Sequence, residues 1–216
     1  VKSVLDWIRN MSFIMRPIRF ASTGHIIEGS GLFDSATTRL ARTPSTTGNR
    51  RTFTVSFICK LGSDFGSQRY LLYGYGGSGS SFACYFNASN NLVAHPFAGG
   101  GPNDNVSTQV FRDPSAYYHI VLACDTTHAS ASERFKIYVN GEQITSFSGS
   151  PTAITLNSDV QWNWTGAPMY VGGTGGAAFD GYMANYINID GLQLDPTSFG
   201  EVTDDGFWQI NDASGL

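Results

Sequence analysis

Two pairs of aromatic side chains stand at a spacing that would suit sugar binding. Trp162 and Trp164 flank Asn163 in "DVQWNWTGAP", and Tyr73 and Tyr75 are also two residues apart in "LLYGYGG". Saccharide recognition by stacking needs exposed aromatic faces beside polar donors. Residues two apart on an extended strand lie on the same side. The spacing therefore predicts glycan-stacking candidates. An aromatic cluster at a sandwich edge or a protein contact explains the tryptophan pair equally well and is the favoured explanation of the tyrosine pair.

A second candidate chemistry lies in the loop "GPNDNVS". Asn103, Asp104 and Asn105 offer side-chain oxygens, which are the ligands that Ca²⁺ prefers. A solvated turn is the alternative explanation of the same residues. Neither Cys-x-x-Cys nor His-Glu-x-x-His occurs in the sequence. We therefore expect no cofactor, with calcium as the one candidate.

The acidic residues do not suggest an enzyme. Glycoside hydrolysis uses two carboxylates at a fixed separation, which on one strand would show as two acids at even spacing. The glutamates are instead widely separated, at Glu28, Glu133, Glu142 and Glu201. His119 lies in the apolar run "AYYHIVLACD" and is expected to be a strand residue hydrogen-bonded to the backbone rather than a general base. The glycine clusters lack the Lys-Ser/Thr of a phosphate loop, and no Gly-x-Ser-x-Gly is present.

The elements that would position these residues are short strands. In "RTFTVSFICK", Phe53, Val55 and Phe57 alternate with Thr and Ser, and "ERFKIYVNGEQITSF" joins two alternating runs at Asn140-Gly141, a strong hairpin signal. Similar runs recur along the chain between Gly-, Ser- and Asn-rich turns. Only "LDPTSFGE" predicts a late helical turn. The pattern indicates an all-β, two-sheet antiparallel jelly-roll sandwich.

Composition limits the partners. The net charge of −4 gives no reason to expect nucleic-acid binding, and no apolar run approaches the roughly 20 residues of a membrane-spanning helix. Each of Cys59, Cys84 and Cys124 lies in an apolar run, so we expect three buried thiols. A Cys59–Cys84 bridge would require that their strands be neighbours.

Residues 1–21 differ from the rest and are predicted to form a short N-terminal extension to a domain over residues 22–216. Their apolar residues recur at helical spacing as far as Pro17, which would end a helix. Such a segment could dock on a partner or pack on its own domain. The candidate docking residues are Trp7, Ile8, Met11 and Met15. Charged side chains interrupt the apolar run that a secretory signal would need.

Several stretches together resemble a known family. "TFTVSFICK", "AYYHIVLACD", "FKIYVNGEQI" and "YVGGTGGAAFDGYMANYINIDGLQLD" follow one another as in laminin-G-like domains of the concanavalin A-like lectin/glucanase superfamily, over about residues 30–200. The chain departs from the family at Ile58 and Tyr117, where members often carry Trp. The glucanase motif Glu-x-Asp-x-x-Glu is absent. The resemblance thus implies a concanavalin A-like fold that binds or assembles rather than hydrolyses.

A narrower resemblance concerns bacteriophage virion proteins. "RTPSTTGNRRTFTVSF", "VFRDPSAYYHIVLACDTTHASASERFKIYVNG" and "LDPTSFGEVTDDGFW" are similar to versions found in tail fibres, adsorption proteins and head decorations. This implies a virion-surface protein, made in host cytoplasm without a signal peptide, that contacts other virion proteins and forms a homo-oligomer. It favours a lectin-like module for host-surface polysaccharide, with a purely structural decoration or fibre subunit as the alternative. An enzyme acting on surface polysaccharide has no support in the carboxylate spacing.

Overall fold

The computed structural model describes residues 25–34, 38–63, 65–76, 81–96, 104–151, 153–174 and 177–216. Within these ranges the regular structure is β apart from two single 3-10 turns, Ala131–Glu133 and Pro196–Ser198. The strands are β1 Gly31–Phe33, β2 Leu40–Arg42, β3 Thr52–Leu61, β4 Arg69–Tyr75, β5 Ser81–Phe86, β6 Asn91–Pro96, β7 Asn105–Val110, β8 Tyr117–Asp125, β9 Phe135–Val139, β10 Glu142–Gln143, β11 Met169–Val171, β12 Gly181–Asp190, β13 Gly200–Val202 and β14 Trp208–Ile210. None of the described helical segments is long and apolar enough to span a membrane.

Two six-stranded antiparallel sheets form a sandwich. The first sheet has the order β1-β12-β3-β8-β9-β10, and the second has the order β2-β11-β4-β5-β6-β7. The remaining strands, β13 and β14, form a separate hairpin. Neighbours in both sheets often come from distant parts of the chain, as in a jelly roll. The predicted all-β, two-sheet fold class is confirmed.

The core lies between the inner faces of the two sheets. The alternation predicted for β3 holds, because Phe53, Val55, Phe57 and Cys59 all point inward and are fully buried. The second sheet contributes Leu72, Cys84 and other apolar side chains from the opposite side. Such a close-packed apolar layer is the main source of the stability of a sandwich.

The three cysteines are buried free thiols, as predicted. Burial raises the pKa of each thiol, so all three remain protonated at neutral pH. Cys59 is on β3 of the first sheet and Cys84 is on β5 of the second, so their strands are not hydrogen-bonded neighbours. They behave as small apolar side chains.

The predicted hairpin at Asn140-Gly141 joins β9 to β10. Both turn residues have positive φ, 50° and 83°, as a two-residue type I′ turn requires. A side chain on Gly141 would also begin 2.3 Å from the ring of Trp208. Glycine is therefore needed twice at this position, for its backbone conformation and for the close approach of an aromatic ring. The hairpin supports the C-terminal part of the chain.

That C-terminal part, residues 191–216, packs across the outer face of the first sheet and is called here the C-terminal cover. Thr54 on β3 donates from Oγ1 to the carbonyl of Leu192 and accepts from the amide of Leu194, both at 2.8 Å. Phe199 is fully buried against Val121 and other outer-face residues. The predicted turn in "LDPTSFGE" is the 3-10 turn that delivers this ring. The cover removes most of this face from solvent.

His119 is enclosed beneath the C-terminal cover. The indole N–H of Trp208 donates to its Nδ1 at 3.0 Å, so Nε2 carries the ring proton and donates to Oγ of Ser56 at 2.8 Å. Burial lowers the pKa of His119 to about 4. A neutral, buried imidazole with both nitrogens occupied is a packing residue, although its partners are the side chains of Ser56 and Trp208 and not the backbone groups that were predicted.

Candidate functional site

A group of tyrosines lies on the outer face of the second sheet. Strand pairing places Tyr170 opposite Tyr73, and Tyr70 opposite Tyr85. Leu71 and Leu72 both point to the core, and an irregularity in the pairing between Tyr70 and Leu72 brings Tyr70 to the same face as Tyr73. This surface is called here the tyrosine face, formed by Tyr70, Tyr73, Tyr75, Tyr85 and Tyr170. The described residues provide no equivalent of the C-terminal cover for it.

The rings of the tyrosine face contact one another in a continuous series. Tyr70 stacks on Tyr85 with ring centres 4.7 Å apart and meets Tyr73 edge-on at 5.7 Å. Tyr73 in turn lies 6.4 Å from both Tyr75 and Tyr170. These distances are those of favourable aromatic pairs. The contacts hold the rings in place before any ligand arrives, which lowers the entropic cost of binding.

The five side chains of the tyrosine face differ in their exposure to solvent. Tyr85 is buried as its floor, Tyr70, Tyr73 and Tyr170 are half-buried, and Tyr75 is 48% exposed. Burial raises the pKa of Tyr70, Tyr73 and Tyr85, so their hydroxyls stay protonated at neutral pH. Each protonated hydroxyl can both donate and accept a hydrogen bond. The face thus offers apolar rings together with neutral polar groups.

Polar side chains stand at the two ends of the face. The row that contains Tyr170 and Tyr73 continues through Ala83 to His95, a length of about 14 Å over three inter-strand steps. At one end, Nδ1 of His95 donates to Oδ1 of Asp104 at 2.5 Å. At the other, the Arg39 guanidinium lies 4.8 Å from the centre of the Tyr170 ring. The result is an elongated aromatic surface with charged groups at both ends.

Asp104 also contacts the floor of the face. The hydroxyl of Tyr85 donates to its Oδ2 at 3.4 Å, while its other oxygen accepts from His95. Both carboxylate oxygens are therefore engaged by residues of the second sheet. The arrangement places Asp104 in this polar end and not in an isolated loop.

The calcium interpretation is not favoured by this geometry. Asp104 faces the outer surface, whereas its neighbour Asn105 is buried and lines a cleft between the sheets together with Phe135 and Ile144. Asn103 lies outside the described residues. No group of three or more metal-ligating His, Cys, Asp or Glu side chains occurs in the described part of the chain. Calcium binding stays a prediction without a described ligand cluster.

The prediction that Trp162 offers a stacking surface is wrong. Its side chain is fully buried, its ring centre lies 4.7 Å from that of Phe82, and its Nε1 donates to Oδ1 of Asn188 at 2.9 Å. The physical reason is the backbone between the two tryptophans. Asn163 has φ = 56°, so the segment bends and the alternation rule for an extended strand does not apply. Trp162 belongs to the core.

Trp164 is separated from Trp162 by this bend. It is half-buried, and the guanidinium of Arg50 lies 4.9 Å from its ring centre. A side chain on Gly166 would meet the same indole. The backbone at Gly166 and the Arg50 side chain therefore occupy much of the surface of the Trp164 ring. The two tryptophans do not form a joint platform.

Asn163 is a structural residue and not an exposed donor. Its Nδ2 donates to the carbonyl of Asn49 at 3.2 Å and to Oδ1 of Asp190 at 3.3 Å, and its Oδ1 accepts from Asn188 at 3.0 Å. These contacts tie the bend to β12 and to the segment before β3. The side chain is buried, so the prediction of a sugar contact at Asn163 is wrong.

Of the predicted sugar-binding residues, Tyr73 and Tyr75 lie together on an accessible surface. Sequence reasoning missed Tyr70, Tyr85 and Tyr170, as well as the polar ends of the face. The alternation in "SFACYF" contains a partial signal, because Tyr85 shares a side with Ala83, opposite to Cys84. Their proximity to Tyr73 depends on strand pairing that one sequence does not show. The docking candidates Trp7, Ile8, Met11 and Met15, with most of the predicted 1–21/22–216 division, lie outside the described residues.

The chain belongs to the concanavalin A-like lectin/glucanases superfamily, whose family description matches residues 34–186. This match covers the whole second sheet with the tyrosine face, and the first sheet except β1 and the end of β12. The fold is therefore the lectin-like sandwich of this superfamily, as the resemblance implied. No curated protein sequence matches the chain.

Two solved structures with a TM-score of 0.51 share the fold. A Trypanosoma rangeli sialidase in complex with sialic acid is similar with a TM-score of 0.51 and 15% identity, over 82% of this chain and 27% of the sialidase. Domains LG4-5 of the mouse laminin alpha1 chain are similar with a TM-score of 0.51 and 13% identity, over 76% of this chain and 41% of the laminin chain. The CBM40 of a Ruminococcus gnavus sialidase has a TM-score of 0.46 and 18% identity, over 76% of this chain and 89% of the CBM40 chain. The chain spans between 21% and 27% of the T. rangeli sialidases that it matches.

Proposed function

We propose that this chain is a non-catalytic carbohydrate-binding module whose ligand lies along the tyrosine face. The observation that carries the proposal is the continuous series of tyrosine rings on one accessible sheet surface. Sugars present C–H faces that pack on aromatic rings and hydroxyls that need polar partners. The tyrosines supply both, and the length of the row suits an oligosaccharide better than a single sugar. Arg39, His95 and Asp104 would contact its ends.

The absence of catalysis is part of the proposal. On the tyrosine face the carboxylate of Asp104 is already hydrogen-bonded to His95 and Tyr85. A glycosidase needs a second carboxyl group across the scissile bond. We expect a bound oligosaccharide to remain intact on prolonged incubation with the protein. New reducing ends, measured by a reducing-sugar assay, would overturn this part of the proposal.

The biological setting that we propose is the surface of a bacteriophage virion, where the module would hold host-surface polysaccharide. The resemblance of three sequence stretches to virion proteins supports this setting. The test is whether the chain sediments with purified phage particles through a density gradient. Its absence from particles that are otherwise complete would refute the setting without affecting sugar binding. The predicted homo-oligomer is checked on the purified protein by light scattering.

Binding itself is tested on a glycan array with the full chain. We expect at least one oligosaccharide to bind, and the Tyr75→Ser variant to bind about fivefold more weakly, since a stacking contact contributes about 1 kcal/mol. The matched control is Tyr182→Ser, because Tyr182 is 45% exposed on the outer face of the first sheet. A folded protein without any glycan ligand would overturn the proposal and favour the structural decoration or fibre subunit.

A further inference from the structure

A group of exposed apolar side chains stands at one end of the first sheet, along the edge of the C-terminal cover. Leu32, Tyr182 and Tyr117 belong to one cross-strand row, with Lys60 between the two tyrosines. Leu32, Tyr117 and Phe207 are 50%, 64% and 73% exposed. Phe207 lies beside this row, since it lines the same cleft as Tyr117. These four apolar residues, Leu32, Tyr117, Tyr182 and Phe207, are called here the aromatic corner.

The rim of the aromatic corner is acidic. Glu142 lines the cleft together with Tyr117 and Phe207. Asp204 and Asp205 are both exposed in the turn that leads directly to Phe207. The facing cation is Lys60, whose ammonium lies 5.1 Å from the centre of the Tyr117 ring. An apolar surface with three carboxylates at its edge suits an occupant that is both apolar and basic.

Residues 1–24 of the same chain are one such occupant, and they enter the domain close to this surface. The amide of His25, the first described residue, donates to the carbonyl of Ile210 on β14 at 3.3 Å. Strand β14 begins at Trp208, which lines the cleft beside Phe207. Residues 1–24 therefore join the described domain at the same hairpin that forms one wall of the cleft. Few residues are needed to reach the aromatic corner from His25.

The composition of residues 1–24 matches that surface. The segment contains four basic residues and one acidic residue, a net charge of +3, whereas residues 25–216 contain nine basic and 16 acidic residues, a net charge of −7. Its apolar side chains include Trp7, Ile8 and Phe13. Positive charge is thus concentrated in the segment and negative charge in the domain. This separation favours association of the two.

We propose that residues 1–24 fold back onto the aromatic corner of their own chain. The apolar side chains of the segment cover Tyr117 and Phe207, and its arginines face Glu142, Asp204 and Asp205. The segment thus shields this end of the first sheet from solvent, as the C-terminal cover shields the middle of the same sheet. The proposal concerns the first sheet and does not depend on sugar binding by the tyrosine face.

Hydrogen exchange of the full chain, followed by mass spectrometry, tests this docking. We expect amides in residues 1–24 to exchange at least about tenfold more slowly than in a synthetic peptide of the same sequence. The double variant Tyr117→Ser/Phe207→Ser should remove that protection. The matched control is Leu40→Ser/Leu156→Ser, which alters two exposed leucines away from the corner and should preserve the protection. Exchange at peptide rates in the unmodified protein, or protection that survives the corner variant, would overturn the proposal.

Two further measurements identify the occupant. Trypsin cleavage after Arg9 and Arg19 should be about tenfold faster in the corner variant, while Arg16 is a poor site because Pro17 follows it. Light scattering over a range of concentrations separates one chain from two. Protection that is independent of concentration, and persists at dilutions where light scattering gives the mass of a monomer, supports docking within the chain. Protection that appears only with dimer formation identifies a second copy as the occupant and refutes the proposal.

Discussion

The outer faces of the two sheets differ sharply. The first sheet is overlaid by the C-terminal cover, so that Thr54, Ser56 and His119 are buried and hydrogen-bonded. The second sheet carries the tyrosine face, where the rings pack mainly on one another. A covered face contributes to stability, whereas an accessible one can contact a ligand. The same sandwich therefore separates a structural surface from a candidate binding surface.

The largest expected difference concerns one aromatic residue on each face. Phe199→Ala should lower the free energy of unfolding by about 3–5 kcal/mol, because it leaves a cavity under the C-terminal cover. Tyr73→Ala, on the tyrosine face, should cost only about 1 kcal/mol, since Tyr73 is half-buried. Urea denaturation of both variants measures the difference. Equal costs would contradict the division into a structural face and a binding face.

The enclosed His119 beneath the C-terminal cover should make the stability of the protein depend on pH. Burial lowers the pKa of His119 to about 4 from its ordinary 6.5. Below pH 6.5 the unfolded chain gains a proton at this residue that the folded chain accepts only near pH 4. Stability is therefore lost as the pH falls through this window, by about 3 kcal/mol in total. Denaturation curves from pH 7 to pH 4 should show a smaller loss in His119→Gln. An unchanged pH dependence in the variant would count against an enclosed neutral imidazole.

The hairpin beneath the C-terminal cover provides a smaller effect with a close control. Gly141→Ala should cost about 2 kcal/mol, because alanine is strained at φ = 83° and its Cβ would displace the Trp208 ring. Gly149→Ala shares the positive φ but meets no neighbouring atom, so strain alone should cost about 1 kcal/mol. Thermal unfolding compares the two. If both variants lose the same stability, the contact with Trp208 is unimportant.

The smallest effect on stability is expected on the tyrosine face. Tyr75→Ser should change the free energy of unfolding by less than about 1 kcal/mol, as substitutions at exposed positions usually do. Its loss of glycan affinity should nevertheless exceed that of Tyr182→Ser. Isothermal titration with the best array ligand gives affinity, and urea denaturation gives stability, on the same samples. A variant that loses stability and affinity together would place Tyr75 among the structural residues.

Local patterns in the sequence were sufficient to predict the fold class. Period-two alternation in β3, and Asn140-Gly141 with its positive φ values, depend on the geometry of neighbouring residues. The sandwich, its inward-facing residues and the buried cysteines follow from these signals. The aromatic pairs were less certain, since alternation holds only where the backbone is extended. It holds for Tyr73 and Tyr75 on β4, and it fails between Trp162 and Trp164 because Asn163 bends the chain.

The candidate site was decided by tertiary structure. Tyr170 lies 97 positions beyond Tyr73 in the sequence, yet their strands pair in register. Which outer face stays accessible depends on where the C-terminal cover packs, and that is set by contacts such as Trp208 with His119. Alternation specifies which side of its own strand a residue occupies, because that is local geometry. Neighbouring strands, and the face that another segment covers, are non-local choices made by packing and hydrogen bonding across the whole sandwich.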